Sequence, residues 1–469
     1  RFCEGPPTVS PSNQDPGPTY SEHMANEFSR WHVDNLPADA VAMAIRDLTD
    51  MAGICVAARQ THYIGQLIGA CDDEGPCTAI GHARGFNAAS AALINGTATH
   101  GEDFDDTLEG APIRVGAMVL PAVLAAGQRY QLSGERVVTG IIAGMEAVCR
   151  LNHVAAGYMH KACFHPVGVI GALGSAMGVG TALSLDAQRL SMAMGVAGSF
   201  SSGIIEFLTD GAWTKRIHPG WAAQSGLQAA LIARQGFFAP RTILEGGHSF
   251  FKAFAPTATP DYSHLIDGLG EDFYMSRIAF KPYACGTMIH PYIDCMIELA
   301  ERGVSAEDIE RILCPTGEGL VHRLWEPLGN KQQPPSGYAA KFSMPYCMAV
   351  GFYDGDAGLS QFTDERATDP KLIDLASKIN YEIDPNNEYP RNYSGHIRVQ
   401  LKNGESIAID RPWMRGGKNE PLSSTELRQK YNANIQYGGW DAPLGDALFD
   451  YLQVLPNHSD LSKLSQFNR

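Results

Sequence analysis

The sequence predicts a mostly α protein, in which a large all-helical domain carries a smaller inserted α+β domain. Three observations predict it. From Tyr20 to about Gly270 apolar residues recur at helical spacing, with no strand alternation and no repeat at a fixed period. Beyond Tyr274 the pattern changes, and HIRVQL and SIAIDRP flank Asn403–Gly404, the strongest short signal for a β-hairpin. After Pro421 helical spacing returns.

Taken in order, residues 1–19 hold five Pro among Ser, Thr, Asn and Gly and read as a flexible arm. Residues 20–278 are the first part of the helical domain. There PADAVAMAIRDLTDMAGICVAA sets Val41, Ile45, Leu48, Ala52 and Cys55 on one face, with Pro37 near its start. Asn95–Pro121 joins two apolar helices, the second with Pro121 near its first turn, where a missing N–H is tolerated. Ser133–Leu151, Val167–Leu183, Ser184–Val196 and Gly220–Gln235 repeat the helical pattern. Residues 279–413 are the α+β insert. RIAFKPYACGTMIHPYIDCMIELAERG runs from an extended piece into a helix, SAEDIERILC from a capped helix into a strand, and Tyr338–Tyr353 is helix before the hairpin. Residues 414–469 return to the helical domain through LSSTELRQKYNAN, with Ser423 and Glu426 at capping-box spacing.

At 469 residues and 44% hydrophobic, the chain can bury a large core and divides into two domains. Its formal charge of −15 argues against nucleic acid and anionic membrane as partners, while a locally basic pocket still suits an anionic substrate. No apolar run reaches membrane-spanning length; Val137–Val148 and His165–Leu183 come nearest and are rich in Gly and Ala. Ten Cys are scattered without CxxC, and the close pair Cys71 and Cys77 fits no familiar zinc or iron–sulfur spacing, so no metal is expected. Most of the Cys read as buried small hydrophobes of a reducing compartment, the cytoplasm or an organelle matrix. The dinucleotide, P-loop, GxSxG and HExxH motifs are all missing, and no cofactor is expected.

Chemistry concentrates in NGTATHGEDFDDT, which packs His100, Glu102, Asp103, Asp105, Asp106 and Thr107 into eight positions. Acids at a junction of buried helices are costly unless paired, hydrogen-bonded or used. The plainer alternative is a solvated acidic loop in which Asp105 or Asp106 caps a neighbouring element. His165 precedes Pro166 at a helix N-terminus, where the dipole favours the neutral imidazole of a general base; a cap or core histidine is the alternative. Lys215, Arg216 and His218 fall within four residues before a helix start at Gly220, which makes an anion site or an ordinary solvated loop. FKPYACGTMIHP adds Lys281, Tyr283, Cys285 and His290, and AAKFSMPY adds Lys341 and Ser343. Together these suit proton abstraction beside a carboxylate, as in elimination, decarboxylation or epimerisation. DFDDT is also similar to the aspartate-rich magnesium site of terpene synthases, but no second magnesium motif follows and the α+β insert is foreign to that fold.

At these same residues the sequence resembles the MmgE/PrpD family of 2-methylcitrate dehydratase, cis-aconitate decarboxylase and iminodisuccinate epimerase. NGTATHGEDFDDT, FHPVGVIGALGSA, TKRIHPGWAAQSGL, LEGGHSFFKAF, FKPYACGTMIHP and AKFSMPYCMAV carry the resemblance, in the family's order, over about residues 25–440. It implies a helical domain built from both chain ends, a smaller α+β lid and a homodimer. It implies active-site roles for Asp103, Thr107, His165 and Lys215, with His218 in the same loop. One position departs: before the GAMVLP helix the family typically has His, and this chain has Arg114 in PIRVGA. The tyrosine that the decarboxylases carry near Leu320–His322 is not evident, His322 being the nearest polar residue, and KPYACGTMIH lacks the extra His of the animal decarboxylases. An Arg can clamp a carboxylate with two hydrogen bonds but is a poor acid or base.

The expectation is a cofactor-free lyase acting on a small di- or tricarboxylate by acid–base proton transfer, most simply a hydro-lyase like 2-methylcitrate dehydratase. Asp103, Thr107, His165 and Lys215 form the catalytic set, and Arg114, Arg216, His218, Lys281 and His322 the substrate-binding set. A cis-aconitate-type decarboxylase or an epimerase of the same family is the alternative. Of another class is a non-catalytic anion-binding or scaffold dimer, its site altered by Arg114.

Overall fold

The computed structural model describes residues 17–111 and 113–469, so most of the proposed N-terminal arm lies outside the described residues. The longer helices of the first part are α1 (Ala38–Ala58), α2 (Ala88–Gly101), α3 (Gly116–Arg129), α4 (Gly134–Val154), α5 (Pro166–Ala182), α6 (Ala187–Phe200) and α7 (Thr214–Arg234). Helix α5 is apolar on every side and every residue of it is buried, as a helix without a polar face must be. It packs against α3, α4, α6 and α7. Glycines set the closest crossings. A Cβ at Gly96 of α2 would stand 2.7 Å from the Gly220 Cα of α7, and one at Gly140 of α4 would stand 2.5 Å from the Gly178 carbonyl of α5. Only hydrogen fits there, and that closeness draws α2 and α7 together at the site described below.

A smaller sheet-containing domain follows. It holds α8 (His290–Glu301), β1 (Ile309–Thr316), α9 (Met344–Asp354), β2 (Ile379–Ile383), β3 (Gly395–Leu401) and β4 (Ser406–Arg411). The sheet order is β2-β1-β3-β4, with β1 and β2 parallel and the other pairs antiparallel. Gly404, at φ +93°, makes the hairpin turn between β3 and β4 that Asn403–Gly404 predicts. The apolar core of this domain, around Tyr292, Trp325 and Tyr346, extends to Ile54, Ala57 and Phe104 of the helical part. The chain then returns as α10 (Ser424–Tyr437), started by the Ser423–Glu426 capping box, to pack on α1. There Lys430 meets Asp50 at 2.8 Å. The protein is thus mostly α with a smaller sheet-containing domain.

Four local readings differ from the structure. The helix expected in SAEDIERILC is a turn, closed by the Asp308 N–H on the Ser305 carbonyl, and β1 starts at Ile309. Tyr338–Tyr353 breaks into Gly337–Ala340 and α9, because the Ser343 hydroxyl caps the Tyr346 N–H at 3.1 Å. Helix α7 starts at Thr214 and runs through Pro219, so Lys215, Arg216 and His218 lie on the helix itself rather than before it. Near a helix start Pro forfeits a single N–H, which packing against α2 and α5 outweighs. The helical part also holds the strand pairs Glu74–Thr78 with Gly85–Phe86 and Thr107–Leu108 with Ile278–Ala279, too short to show alternation.

Candidate active site

Helix α2 ends at Gly101, and the chain reverses through Asp103 in the left-handed region at φ +56°, a conformation that Asp tolerates better than most residues. The next three carbonyls each receive a lysine ammonium. Lys341 donates to the Glu102 carbonyl at 2.6 Å, Lys281 to that of Asp103 at 2.6 Å, and Lys430 to that of Phe104 at 2.8 Å. All three lysines are buried. A helix C-terminus leaves carbonyls without partners and favours cations, which is why ammonium groups gather at this turn.

The acids behind the turn are buried too, so the solvated-loop alternative fails, although its capping half holds. Asp106 accepts the Val115 and Gly116 N–H groups at 2.9 and 3.0 Å and caps α3. Burial, then the neighbouring Asp105, pushes its carboxyl up to about 7. Asp103 Oδ1 lies 3.2 Å from the Arg114 guanidinium, 3.3 Å from Lys215 Nζ and 3.6 Å from Lys281 Nζ. Burial would raise this carboxyl, but Lys215, Lys281 and Arg114 together hold it well below the carboxylate range. Asp105 meets His100 Nδ1 at 2.8 Å and Arg114 Nε at 3.5 Å. Against burial, those two neighbours hold its carboxyl below the ordinary value.

The two lysines on Asp103 differ. Lys281 is 0% exposed, and burial, then Arg114, pushes its ammonium down to about 7. The Lys215 side chain keeps 18% exposure, and Asp103 raises its pKa against the effect of burial.

Histidines form the other end of the site. His165 precedes the first turn of α5, and its Nδ1 lies 3.0 Å from His218 Nδ1. Its ring centroid is 5.8 Å from that of His100, 6.1 Å from His160 and 5.7 Å from Phe207. Burial is the first cause that pushes His165 well below the ordinary histidine value, ahead of the neighbouring His100, His218 and Lys215. The same cause takes His218 to about 4. Both imidazoles are neutral at pH 7.

Asp103, Arg114, Lys215 and Lys281 are thus in direct ionic contact, His165 and His218 touch each other, and His100 stands between the two groups. Three expected residues sit apart. Thr107 is buried in the strand pair, opposite Ala279. Arg216 lies 3.7 Å from Glu102 and is stacked 4.4 and 4.1 Å from the ring centroids of Tyr63 and Tyr338, so its guanidinium is already engaged. His322 is exposed on the sheet domain and accepts from Arg323 Nε at 3.2 Å; after burial, the Arg323 charge is what lowers His160 to about 4. Sequence reasoning named His100 and Lys341 only as members of their stretches, and it missed Lys430. His100 stood in the acid-rich stretch, but nothing local marks which acid its ring meets.

One donor atom each from His100, Asp103 and Asp105 lie within 4.8 Å of one another, close enough for a metal ion. Arg114 and Lys215 already share those carboxylates, which makes the set a poor one for a dication. Chemically, one end offers fixed cations for carboxylates and the other neutral imidazoles for protons.

The model of the MmgE/PrpD N-terminal domain matches residues 22–263, and that of the MmgE/PrpD C-terminal domain matches residues 283–440. The chain is 27% identical over 440 residues to the cis-aconitate decarboxylase of Aspergillus terreus, covering 87% of this chain and 88% of that one. It is 28% identical over 394 residues to the Homo sapiens cis-aconitate decarboxylase (80% and 77%). To that of Mus musculus it is 29% identical over 356 residues (73% and 71%).

Proposed function

This chain belongs to the MmgE/PrpD family, and from that premise we propose that it is a lyase acting on a small di- or tricarboxylate. The observation that carries the reading is the joining, in one buried cluster, of cations around Asp103 to the neutral pair His165–His218. Lys215 and Arg114 would hold substrate carboxylates, which exchange with Asp103 as their partner. His165 would carry the proton, and Asp103 would orient the group that leaves. None of these roles needs a cofactor.

Of the finer readings, decarboxylation of a cis-aconitate-like acid is supported by what the matched relatives are named. Dehydration of a 2-methylcitrate-like acid is the second reading, and one observation favours it: imidazoles that rest neutral are ready to accept a proton from carbon. Incubation with cis-aconitate and with 2-methylcitrate in deuterated water, followed by proton NMR, tests both. Carbon dioxide release with one solvent deuteron in the product is the result expected of a carboxy-lyase. Loss of water from 2-methylcitrate without carbon dioxide would favour the hydro-lyase. Binding of either acid without turnover would sink the enzymatic reading and leave an anion-binding protein.

The exposed apolar side chains Ile204, Leu208, Trp213 and Trp221 support a homodimer through the helical part. Light scattering at micromolar concentration that returned the mass of one chain would refute it.

A further inference from the structure

We propose that His100 is a further catalytic residue of this site, with Nε2 as the proton-carrying atom and Asp105 as the positioning carboxylate behind it. The inference rests on the lyase reading and deepens it. His100 lies in the last turn of α2, 2% exposed, with Nδ1 2.8 Å from Asp105 Oδ2. Its other ring nitrogen, Nε2, is buried with no hydrogen-bond partner among the described residues. Buried polar atoms are nearly always satisfied, so one left over calls for an explanation, and use by a ligand or a reaction is one. This one is inside the cluster. The His100 ring is 5.8 Å from that of His165, and a His100 donor atom lies within 4.8 Å of carboxylate oxygens of both Asp103 and Asp105.

The tautomer follows from the neighbours. His100 on Oδ2 and Arg114 Nε, 3.5 Å from Oδ1, together hold the Asp105 carboxyl below its ordinary value against burial, as an ionised carboxylate. An ionised carboxylate only accepts, so His100 Nδ1 carries the proton and Nε2 presents a bare lone pair. A carboxylate on the far nitrogen also raises the basicity of the near one and stabilises the imidazolium once formed. His165 has another imidazole, not a carboxylate, on its Nδ1. Of these two bases in the cluster, His100 is the one built to hold an added proton.

In a carboxy-lyase turnover the carbon–carbon bond to the departing carboxylate breaks and carbon dioxide leaves. The electron pair stays on the substrate, delocalised into its conjugated carboxylate. Nε2 of His100, which takes up a proton from water relayed by His165 once substrate is bound, then gives that proton to carbon and returns to the neutral form, so that one proton is consumed for each carbon dioxide released.

His100→Asn tests this, because the Asn amide can still donate to Asp105 from the place of Nδ1 while Nε2 is removed. In the folded variant kcat on the acid that the wild type turns over falls at least about a hundredfold, with KM within about threefold, as loss of a proton carrier predicts. A folded variant keeping kcat within threefold of wild type would overturn the assignment and leave the lyase reading standing. Should the variant not fold, histidine-selective 15N NMR of the wild type decides. The result expected is a neutral ring with a slowly exchanging Nδ1 proton and a bare Nε2; absence of any such ring overturns the proposal. A wild type inactive on every acid tried, with that ring present, would instead mark failure of the lyase reading.

Discussion

The two ends of the site treat burial in opposite ways. At the turn after α2, Asp103 and Asp105 stay ionised because Lys215, Lys281 and Arg114 surround them and His100 hydrogen-bonds Asp105. At the histidine end, His165 and His218 pack near Phe207 with His160 against His165, and burial leaves them neutral. The cost of burying a charge is met in the first case by counter-charges and in the second by giving up the charge. Fixed charges suit holding a carboxylate in place, whereas groups that change protonation suit moving a proton. Substitutions at the two ends should therefore fail differently.

The largest effect is expected at the histidine end, on rate. His165→Asn should lower kcat by roughly 10²–10⁴-fold, the usual contribution of a general acid–base group. Urea denaturation should show little loss of stability, since no ion pair is broken. A large loss of stability with kcat preserved would erase the proposed contrast. At the charged end the order reverses. Asp103→Ala leaves Lys215, Arg114 and the fully buried Lys281 without their shared carboxylate, and removing one partner of a buried pair costs about 3–5 kcal/mol of stability. Lys281 can shed its proton near pH 7, which should hold the loss at the lower end of that range.

Arg114→Lys should have a smaller effect. Arg114 spans two carboxylates, Asp103 at 3.2 Å and Asp105 at 3.5 Å, and a lysine point charge reaches one of them well. A cost of about 2 kcal/mol, at the low end for a damaged buried charge pair, is roughly thirtyfold in KM for the turned-over acid. Steady-state kinetics with kcat and KM separated would check it. An unchanged KM would mean that Arg114 serves the turn and not the substrate.

Much of this contrast was legible in the sequence, and the reasons for the rest are physical. Helical spacing, the Asn403–Gly404 turn and the Ser423–Glu426 capping box are local signals, and the structure follows them. Acids beside apolar helices pointed to the turn at Asp103, and a His-Pro pair pointed to the start of α5. What could not be read is what depends on distant partners. Lys341 and Lys430 reach the carbonyls of Glu102 and Phe104 across 239 and 326 residues of chain. The start of α7 was misplaced because Pro219 argues for a break, and only packing on α2 and α5 says otherwise. Nor does sequence tell which of four neighbouring acids the His100 ring meets.

The smallest effect concerns pH, and it separates the two ends most cleanly. His218 is pushed from the ordinary 6.5 down to about 4, chiefly by burial. Between those values the unfolded chain binds a proton at this residue that the folded chain does not, so the contribution of His218 to stability is lost as pH falls from 6.5 toward 4. Asp103 is shifted in the same direction, so its contribution too is lost on acidification, but it is present above the ordinary carboxylate value and lost only below it. Other buried acids, Asp106 among them, titrate across the same range with the opposite sign, so the raw stability curve mixes several groups. The difference between wild type and His218→Asn isolates one of them. That difference should shift against the wild type by about 2 kcal/mol on going from pH 7 to pH 4, allowing for partial exposure of the ring. Urea midpoints at half-unit steps would read it. A gap that stays constant over that range would mean that His218 is solvated as an ordinary histidine, and that the neutral end of the site is held by His165 without it.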